Sequence, residues 1–443
     1  MEQIKLKTFI DTEMKEFSNE DNVRSIPSII DGFKDSQRKA VFGLLKSGSK
    51  EIKVAQLAAQ ASLWTHYQHG EESLGNTIVG MAQTFPGSNN INLFEPNGQF
   101  GSRLSPRASA QRYIFTQPTK YLNKILRKED ESILVSRTEE GYSYEPINYF
   151  PVIPLWLVNG ATGIGTGHSV DILPRNPKKI IQLITKMLSK PQTDAQMDKY
   201  LVPYFNDWNG TVEAGDTPRQ WVLTGKLTVV NTTKILITEL PIGYDVPKFK
   251  KILVALLDKG VIKDYDNNSK EEGFEFNITV PRETTSKYSV EELYKLFKLS
   301  VRASDNVTLW NTEGVLKPYE SIHDALREFV EFQRGKYQRS KEAQLMNIQE
   351  EIDWLNARVA FTTYWNTKLK NPHKKSKDEL STELSKVVDP DYIDRLLGLQ
   401  ISSLTMDKID ELNKQVQTRQ DRFNTLRDTS IEQLYINDLE EVV

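Results

Sequence analysis

Between residues 71 and 85 apolar side chains recur at steps of three and four. Leu74, Ile78, Met81, Ala82 and Phe85 fall on one side, with Glu71, Glu72, Ser73, Asn76 and Gln83 on the other. This spacing predicts an amphipathic helix with one buried face. Residues 36–46 and 53–63 read as two more helices, set apart by short Gly, Lys, His and Gln stretches that suit turns. Three short helices in this order fit a helix-turn-helix or winged-helix module, as one option among several.

From 86 to 111 the pattern gives way to Gly, Asn, Pro and Ser, which predicts a loop or wing. Arg112 and Tyr113 close it, followed by Ile114, Phe115 and a basic, helical-looking stretch with Lys120, Lys124, Arg127 and Lys128. The acidic segment 129–145 reads as a linker. Residues 151–174 carry Gly160, Gly163, Gly165 and Gly167, and 203–280 alternates in strand fashion, so a mixed α/β module is expected there. From 322 a long helix is expected, with Leu345, Ile348, Ile352, Leu355 and Val359 as its seam. Ile409, Leu412, Val416, Arg419, Phe423 and Leu426 repeat the spacing behind Thr405 as N-cap. The two helices could pair antiparallel with 362–404 as a knob at the far end, or form part of an ordinary bundle.

At 443 residues the chain exceeds one compact core, so about two to four modules are expected. No apolar run approaches the roughly 20 residues a bilayer span needs, and Met1–Lys7 lacks the apolar stretch of a secretory signal; a cytoplasmic protein is expected. The absence of Cys excludes disulfides, thiolate zinc sites and Cys nucleophiles. A net charge of −3 argues against a polyanion partner until its distribution is considered. Residues 24–128 hold 14 Lys or Arg against 6 Asp or Glu, a net of +8, which leaves −11 for the rest.

Among hydroxyl nucleophiles Tyr113 stands out, because it follows Arg112 and lies between a Gly-rich loop and a basic stretch where a phosphate could approach closely. A phenol ordinarily ionises near about 10, so attack at neutral pH needs a base or a nearby positive charge. Arg112, Lys34 and Arg38 are candidates for that charge; the competing reading is a structural tyrosine. His66 and His69 flank Tyr67 and Gln68, where two imidazoles could serve a phosphate, but no third ligand lies near enough in sequence for a metal. The run Gly163-Ile164-Gly165-Thr166-Gly167 opens no amphipathic helix, so it is not a dinucleotide loop. A Gly-flanked Ile164 could act as a wedge between stacked bases; a tight turn or bulge is the alternative.

Six blocks, in order, resemble the breakage-reunion core of type IIA DNA topoisomerases. They are RSIPSIIDGFKDSQRKAVFGLL at 24–45, KVAQLAAQ at 53–60, HGEESLGNTIVGMAQTF at 69–85, NGQFGSR at 97–103, QRYIFT at 111–116 and LVNGATGIGTG at 157–167. Their wording is nearer the eukaryotic and T-even-bacteriophage branches than gyrase, and the chain resembles a medium subunit of the phage kind. The resemblance implies a multidomain α+β fold. Its parts would be an N-terminal arm (1–23), a winged-helix domain with the catalytic tyrosine (24–145) and a mixed α/β tower (146–318). A long antiparallel coiled coil (319–361 and 405–443) would end in a small helical dimerisation gate (362–404).

It further implies that Tyr113 forms a reversible 5′-phosphotyrosyl bond, with Arg112 stabilising the charge that builds up. Arg24, Lys34, Arg38, Lys39 and His69 would contact double-stranded DNA, and Ile164 would insert between bases. A homodimer would make a staggered double-strand break for passage of a second duplex, giving relaxation and decatenation in an infected bacterial host. No Walker-type loop and no TOPRIM acid cluster is found, so ATP would be used, and Mg²⁺ mainly held, by a large partner subunit; this chain would hold no metal. The run His66-Tyr67-Gln68-His69 departs from the family's pattern and leaves His66 without an implied role. Gln37 replaces a His of the bacterial branch, and Glu72 and Asn76 differ from the Ser and Asp of gyrase-type drug contacts, which implies an altered quinolone response. Two rivals are a DNA-bending architectural protein that never cuts, and a hydrolytic nuclease, for which 97–128 offers almost no acids.

Overall fold

The three-and-four spacing builds three helices, Asp35–Ser47, Val54–Trp64 and Glu71–Ala82. Their apolar faces meet in one core in which Ala40, Val41, Leu44, Leu57, Ala61, Leu74 and Ile78 are fully buried. Burying each Leu or Ile contributes about 1.5–3 kcal/mol, enough to outweigh weak helix formers elsewhere in these segments. A Cβ on Gly43 would stand 2.5 Å from the Ala61 Cβ, so the first two helices cross too closely for any side chain there. The third helix was expected to reach Phe85, and it ends at Ala82. The Asn89 amide donates to the Gly80 and Gln83 carbonyls at 2.8 and 2.9 Å, which stops the helix and turns Gln83 into an extended conformation.

The coordinates are a computed structural model that describes residues 5–48, 50–369, 375–400 and 404–442. They form two compact units, the first comprising the described residues within 5–130, 134–333 and 436–442 and the second those within 131–133 and 334–435. Among the described residues no helix is long and apolar enough to cross a membrane.

In the first unit the 86–111 segment is a loop, tied back where Asn97 and Phe115 exchange backbone hydrogen bonds at 3.0 and 2.9 Å. Phe115–Thr116 also pairs with Ile52–Lys53, which sets the strand beside the start of the second helix. The basic stretch expected to be helical is helical only over Leu122–Ile125. The expected linker 129–145 is ordered: a 3-10 turn at Lys128–Ile133 precedes a hairpin of Ser136–Glu139 with Tyr142–Pro146. Its turn residues Glu140 and Gly141 have φ of 50° and 83°, the left-handed pair that two-residue hairpins require. The abundance of acids concealed this strand alternation.

Farther along, Ala161–Ile164 pairs with Ser169–Ile172 as a short hairpin. A four-stranded antiparallel sheet runs in the order Asp264–Asn267, Phe276–Thr279, Lys234–Glu239, Lys226–Asn231. Alternation puts Ile235, Ile237, Phe276 and Ile278 on one face, where Phe249 and Leu253 of helix Val246–Asp258 cover them. A three-stranded sheet joins Ser300–Ser304, Gln220–Thr224 and Thr211–Ala214.

The helix Ile322–Thr367 contributes residues from 334 onward to the second unit, with Ile348, Ile352 and Leu355 buried. Met406–Asp428 returns antiparallel to it. Lys341 Nζ donates to the Arg427 and Thr429 carbonyls at 2.8 and 2.7 Å, Glu351 pairs with Arg419 at 2.6 Å, and Asn366 reaches the Leu404 carbonyl at 2.6 Å. Helices Lys377–Leu384 and Pro390–Leu397 close around Phe361, Leu384, Ile393 and Leu396 as the knob. The return helix was expected to continue to the C-terminus. It stops at Asp428 and a new helix, Ile431–Val442, starts where the Ser430 hydroxyl accepts from the Gln433 amide at 3.1 Å.

Candidate functional site

Tyr113 is 68% exposed, an unusual placement for a large aromatic ring, on a loop whose backbone is held from both sides. The first amides of helix Val54–Trp64 lack intrahelical partners. Val54 N–H donates to the Ile114 carbonyl at 3.0 Å, and Ala55 N–H to the Gln111 carbonyl at 3.1 Å. The tyrosine therefore projects from a two-residue bridge between fixed points. Tyr113 N–H donates to the Ala110 carbonyl at 2.8 Å, closing the turn. Arg112 is exposed beside it, its guanidinium carbon 5.2 Å from the Tyr113 ring centre. An anion that approached the phenol would meet that cation.

The hairpin Ala161–Ile164/Ser169–Ile172 leaves Ile164 85% exposed at its tip. The glycines flanking it serve close approach: a Cβ on Gly163 would collide with the Ser25 carbonyl, and one on Gly165 with the Asn22 side chain. Asn22 donates to the Thr166 carbonyl at 3.2 Å and the Thr166 hydroxyl to Asp21 at 2.7 Å. The helix Lys15–Ser25 thus clamps the hairpin and presents an apolar side chain on a rigid mount. Lys34 lies near the same hairpin, its Nζ 3.3 Å from where a Cβ on Gly163 would stand. Partial burial holds its ammonium below the usual lysine range.

Arg24, His66 and His69 are exposed and line one cavity of about 660 Å³, together with Arg137 and Tyr144. His66 has φ of 46°, a strained position for a non-glycine residue, and its Nδ1 lies 3.2 Å from the Tyr144 hydroxyl. The acids Glu20, Asp21, Asp35 and Glu139 line the same cavity, which is therefore of mixed charge.

Arg38 and Lys39, expected at the DNA surface, are each paired with a carboxylate inside the fold, and Lys39 also lines the cavity that Arg24 and His69 share. Arg38 forks onto Asp31 at 2.7 and 3.1 Å and donates to the Phe33 carbonyl at 3.2 Å, while Asp31 also accepts from the Phe33 and Tyr149 amides. Lys39 is buried, 2.5 Å from Glu145 and 3.0 Å from the Thr65 carbonyl. Both charges are matched inside the fold, where leaving either carboxylate alone would cost about 3–5 kcal/mol. Arg103, within the +8 segment, is likewise buried on Glu239. The surface is thus less basic than a count of residues suggests.

Sequence reasoning missed Arg137, Tyr144, Glu145 and Gln111. The period-two run Tyr142-Ser143-Tyr144-Glu145 after Gly141 was the signal for two of these, Tyr144 and Glu145; Gln111 was marked only as the first residue of the block QRYIFT.

The family of DNA gyrase and topoisomerase IV A-type subunits matches residues 24–440. The chain is 37% identical to DNA topoisomerase 2 of Bombyx mori over 363 residues, 80% of this chain and 23% of that protein. It is 36% identical to DNA topoisomerase 2 of Saccharomyces cerevisiae over 369 residues, 82% of this chain and 25% of that protein. A crystal structure of the Plasmodium falciparum topoisomerase II DNA-binding, cleavage and re-ligation domain superposes with a TM-score of 0.89 at 34% identity, over 98% of this chain and 63% of that one. The chain spans about a quarter of the length of these two curated relatives.

Proposed function

Because this chain belongs to the family of DNA gyrase and topoisomerase IV A-type subunits, we propose that it is the DNA-cleaving and rejoining part of a type IIA topoisomerase, with Tyr113 as nucleophile. The observation that carries the reading is the exposed Tyr113 on its fixed bridge, beside the exposed Arg112. The phenolic oxygen attacks a DNA phosphorus, the bond from phosphorus to the 3′ oxygen breaks, and the phenol proton is passed on as the 3′-hydroxyl is released. The protein is left on the 5′ phosphate. Attack by the 3′-hydroxyl reverses the step, and because one phosphodiester replaces another, sealing needs no ATP. Arg112 offsets the charge that develops on the phosphoryl oxygens.

Arg24, Lys34 and His69 bind flanking phosphates, while Ile164 enters a base step and kinks the duplex. Arg38 and Lys39 hold the framework through Asp31 and Glu145 instead of touching DNA. Residues 1–23 are assigned to an arm, 24–145 to a winged-helix domain and 146–318 to a tower. The antiparallel pair in 319–361 and 405–443 forms a coiled coil that carries an exit gate at 362–404, through which two copies dimerise. Paired Tyr113 residues then make the staggered double-strand break that permits relaxation and decatenation.

Among the described residues no group of three or more His, Asp or Glu stands together. Mg²⁺ and ATP are assigned to a partner bearing TOPRIM and ATPase parts. The finer reading, a medium subunit of the T-even-phage kind working in an infected bacterium, goes with assigning the ATPase and TOPRIM parts to a separate partner; the wording of the six blocks is near the eukaryotic branch as well as the phage one.

The test is to mix wild-type chain or Tyr113→Phe with supercoiled plasmid, Mg²⁺ and a TOPRIM-bearing partner, and then denature with detergent. Linear DNA with wild-type protein on its 5′ ends, and none with the variant, is expected. Bending without any linkage would leave the architectural reading in its place.

A further inference from the structure

Gly75 lies inside helix Glu71–Ala82, where glycine is a poor helix former. The space its missing side chain leaves is filled: a Cβ there would land on the carboxamide of Gln111. That carboxamide donates to the Glu72 carbonyl at 3.1 Å and to the Asn76 Oδ1 at 2.9 Å, while the Gln111 carbonyl accepts the Ala55 amide at 3.1 Å. One residue thus fixes the loop to two helices, two positions before Tyr113. Burial of Gly75 comes from this side chain reaching across the loop.

Resting on the reading of Tyr113 as nucleophile, we propose that Gln111, seated on Gly75, is the positioning residue that sets where the Tyr113 phenol stands. It touches no DNA atom and acts by fixing the upstream end of the bridge. The downstream end is fixed independently by Val54 on the Ile114 carbonyl. Without the side-chain seat the upstream end is held only by the Ala55 amide on the Gln111 carbonyl and loses its tie to helix Glu71–Ala82, so the bridge loosens and the phenol loses its line to the phosphorus. Loss of such alignment is commonly felt as a tenfold or larger change in rate.

Two variants remove the seat from opposite sides. Gln111→Ala deletes the carboxamide. Gly75→Ala displaces it, because the obstructing atoms are the far end of a flexible side chain, and it places a better helix former in the helix. Each variant, with wild type and the double variant, is assayed with the TOPRIM-bearing partner for covalent 5′ adduct and single-turnover cleavage. Melting temperature and the rate of tryptic cleavage after Arg112 are measured on the same proteins.

The expected result is a drop in cleavage rate of about tenfold or more in both single variants, with no further drop in the double. Duplex affinity and melting temperature should stay near wild type in Gly75→Ala, and scission after Arg112 should quicken. Unchanged cleavage in either single variant overturns the proposal, as do losses that multiply in the double or that simply follow a lowered melting temperature. If wild type itself forms no adduct, the functional reading falls first and the positioning role falls with it. If wild type links and the variants link equally, only the positioning role falls.

Discussion

Arg103 and Glu239 meet at 2.7 Å between the 97–112 loop and the four-stranded sheet, each nearly buried. The guanidinium also donates to the carbonyls of Leu240, Pro241 and Tyr244 at 2.9–3.1 Å, so each face of the fork is used. This pair anchors the loop that leads to Tyr113.

Removing one member leaves an uncompensated charge in the interior. Arg103→Ala should lower unfolding free energy by about 3–5 kcal/mol in urea denaturation. Arg103→Met with Glu239→Leu should be less damaging than Arg103→Ala. Equal loss in the double would show that packing, not charge, is what the pair supplies.

Tyr113→Phe should keep the melting temperature, since the hydroxyl lies on an exposed ring, and abolish the adduct. Arg112→Ala should keep duplex affinity within a few-fold and slow single-turnover cleavage by roughly 10²–10³. A cleavage rate unaltered by Arg112→Ala would remove Arg112 from the charge-stabilising role.

For Ile164, exposure separates function from stability. Ile164→Ala should leave thermal unfolding untouched and reduce bending of a doubly labelled duplex in energy-transfer measurements. Gly165→Ala, which meets Asn22, should destabilise by about 1–3 kcal/mol. Bending that survives Ile164→Ala would mean the hairpin tip is not the wedge.

Lys34 connects charge to pH. Burial holds its folded pKa below the ordinary 10.5, so the fold favours its neutral form and this group's contribution to stability rises with pH between its lowered pKa and that value. A phosphate contact needs the charged form, so duplex affinity should fall as pH rises through the same window. Lys34→Met should flatten that fall and reduce the slope of log affinity against log salt by about 1, as should Arg24→Ala for the slope alone. Lys39→Met should instead reduce stability, because Glu145 would be left buried without its cation.

The local pattern determined much of this molecule. Steps of three and four at Leu74, Ile78 and Met81 fixed a helix and its buried face, because a helix brings such residues together whatever surrounds them. The same spacing placed Ile348, Ile352 and Leu355 on the seam of a long helix. The Gly-flanked Ile164 and the Arg112-Tyr113 pair could be picked out because their chemistry is carried by neighbours in the chain. Tertiary structure alone decided which charges reach solvent. Arg38, Lys39 and Arg103 look like Arg24 and Lys34 in sequence, but their carboxylate partners Asp31, Glu145 and Glu239 lie 7, 106 and 136 residues away. The seat of Gln111 on Gly75 is likewise a contact between segments that no local period encodes. Ion pairing and close packing depend on distances in space, and the fold sets those distances only once the chain has closed on itself.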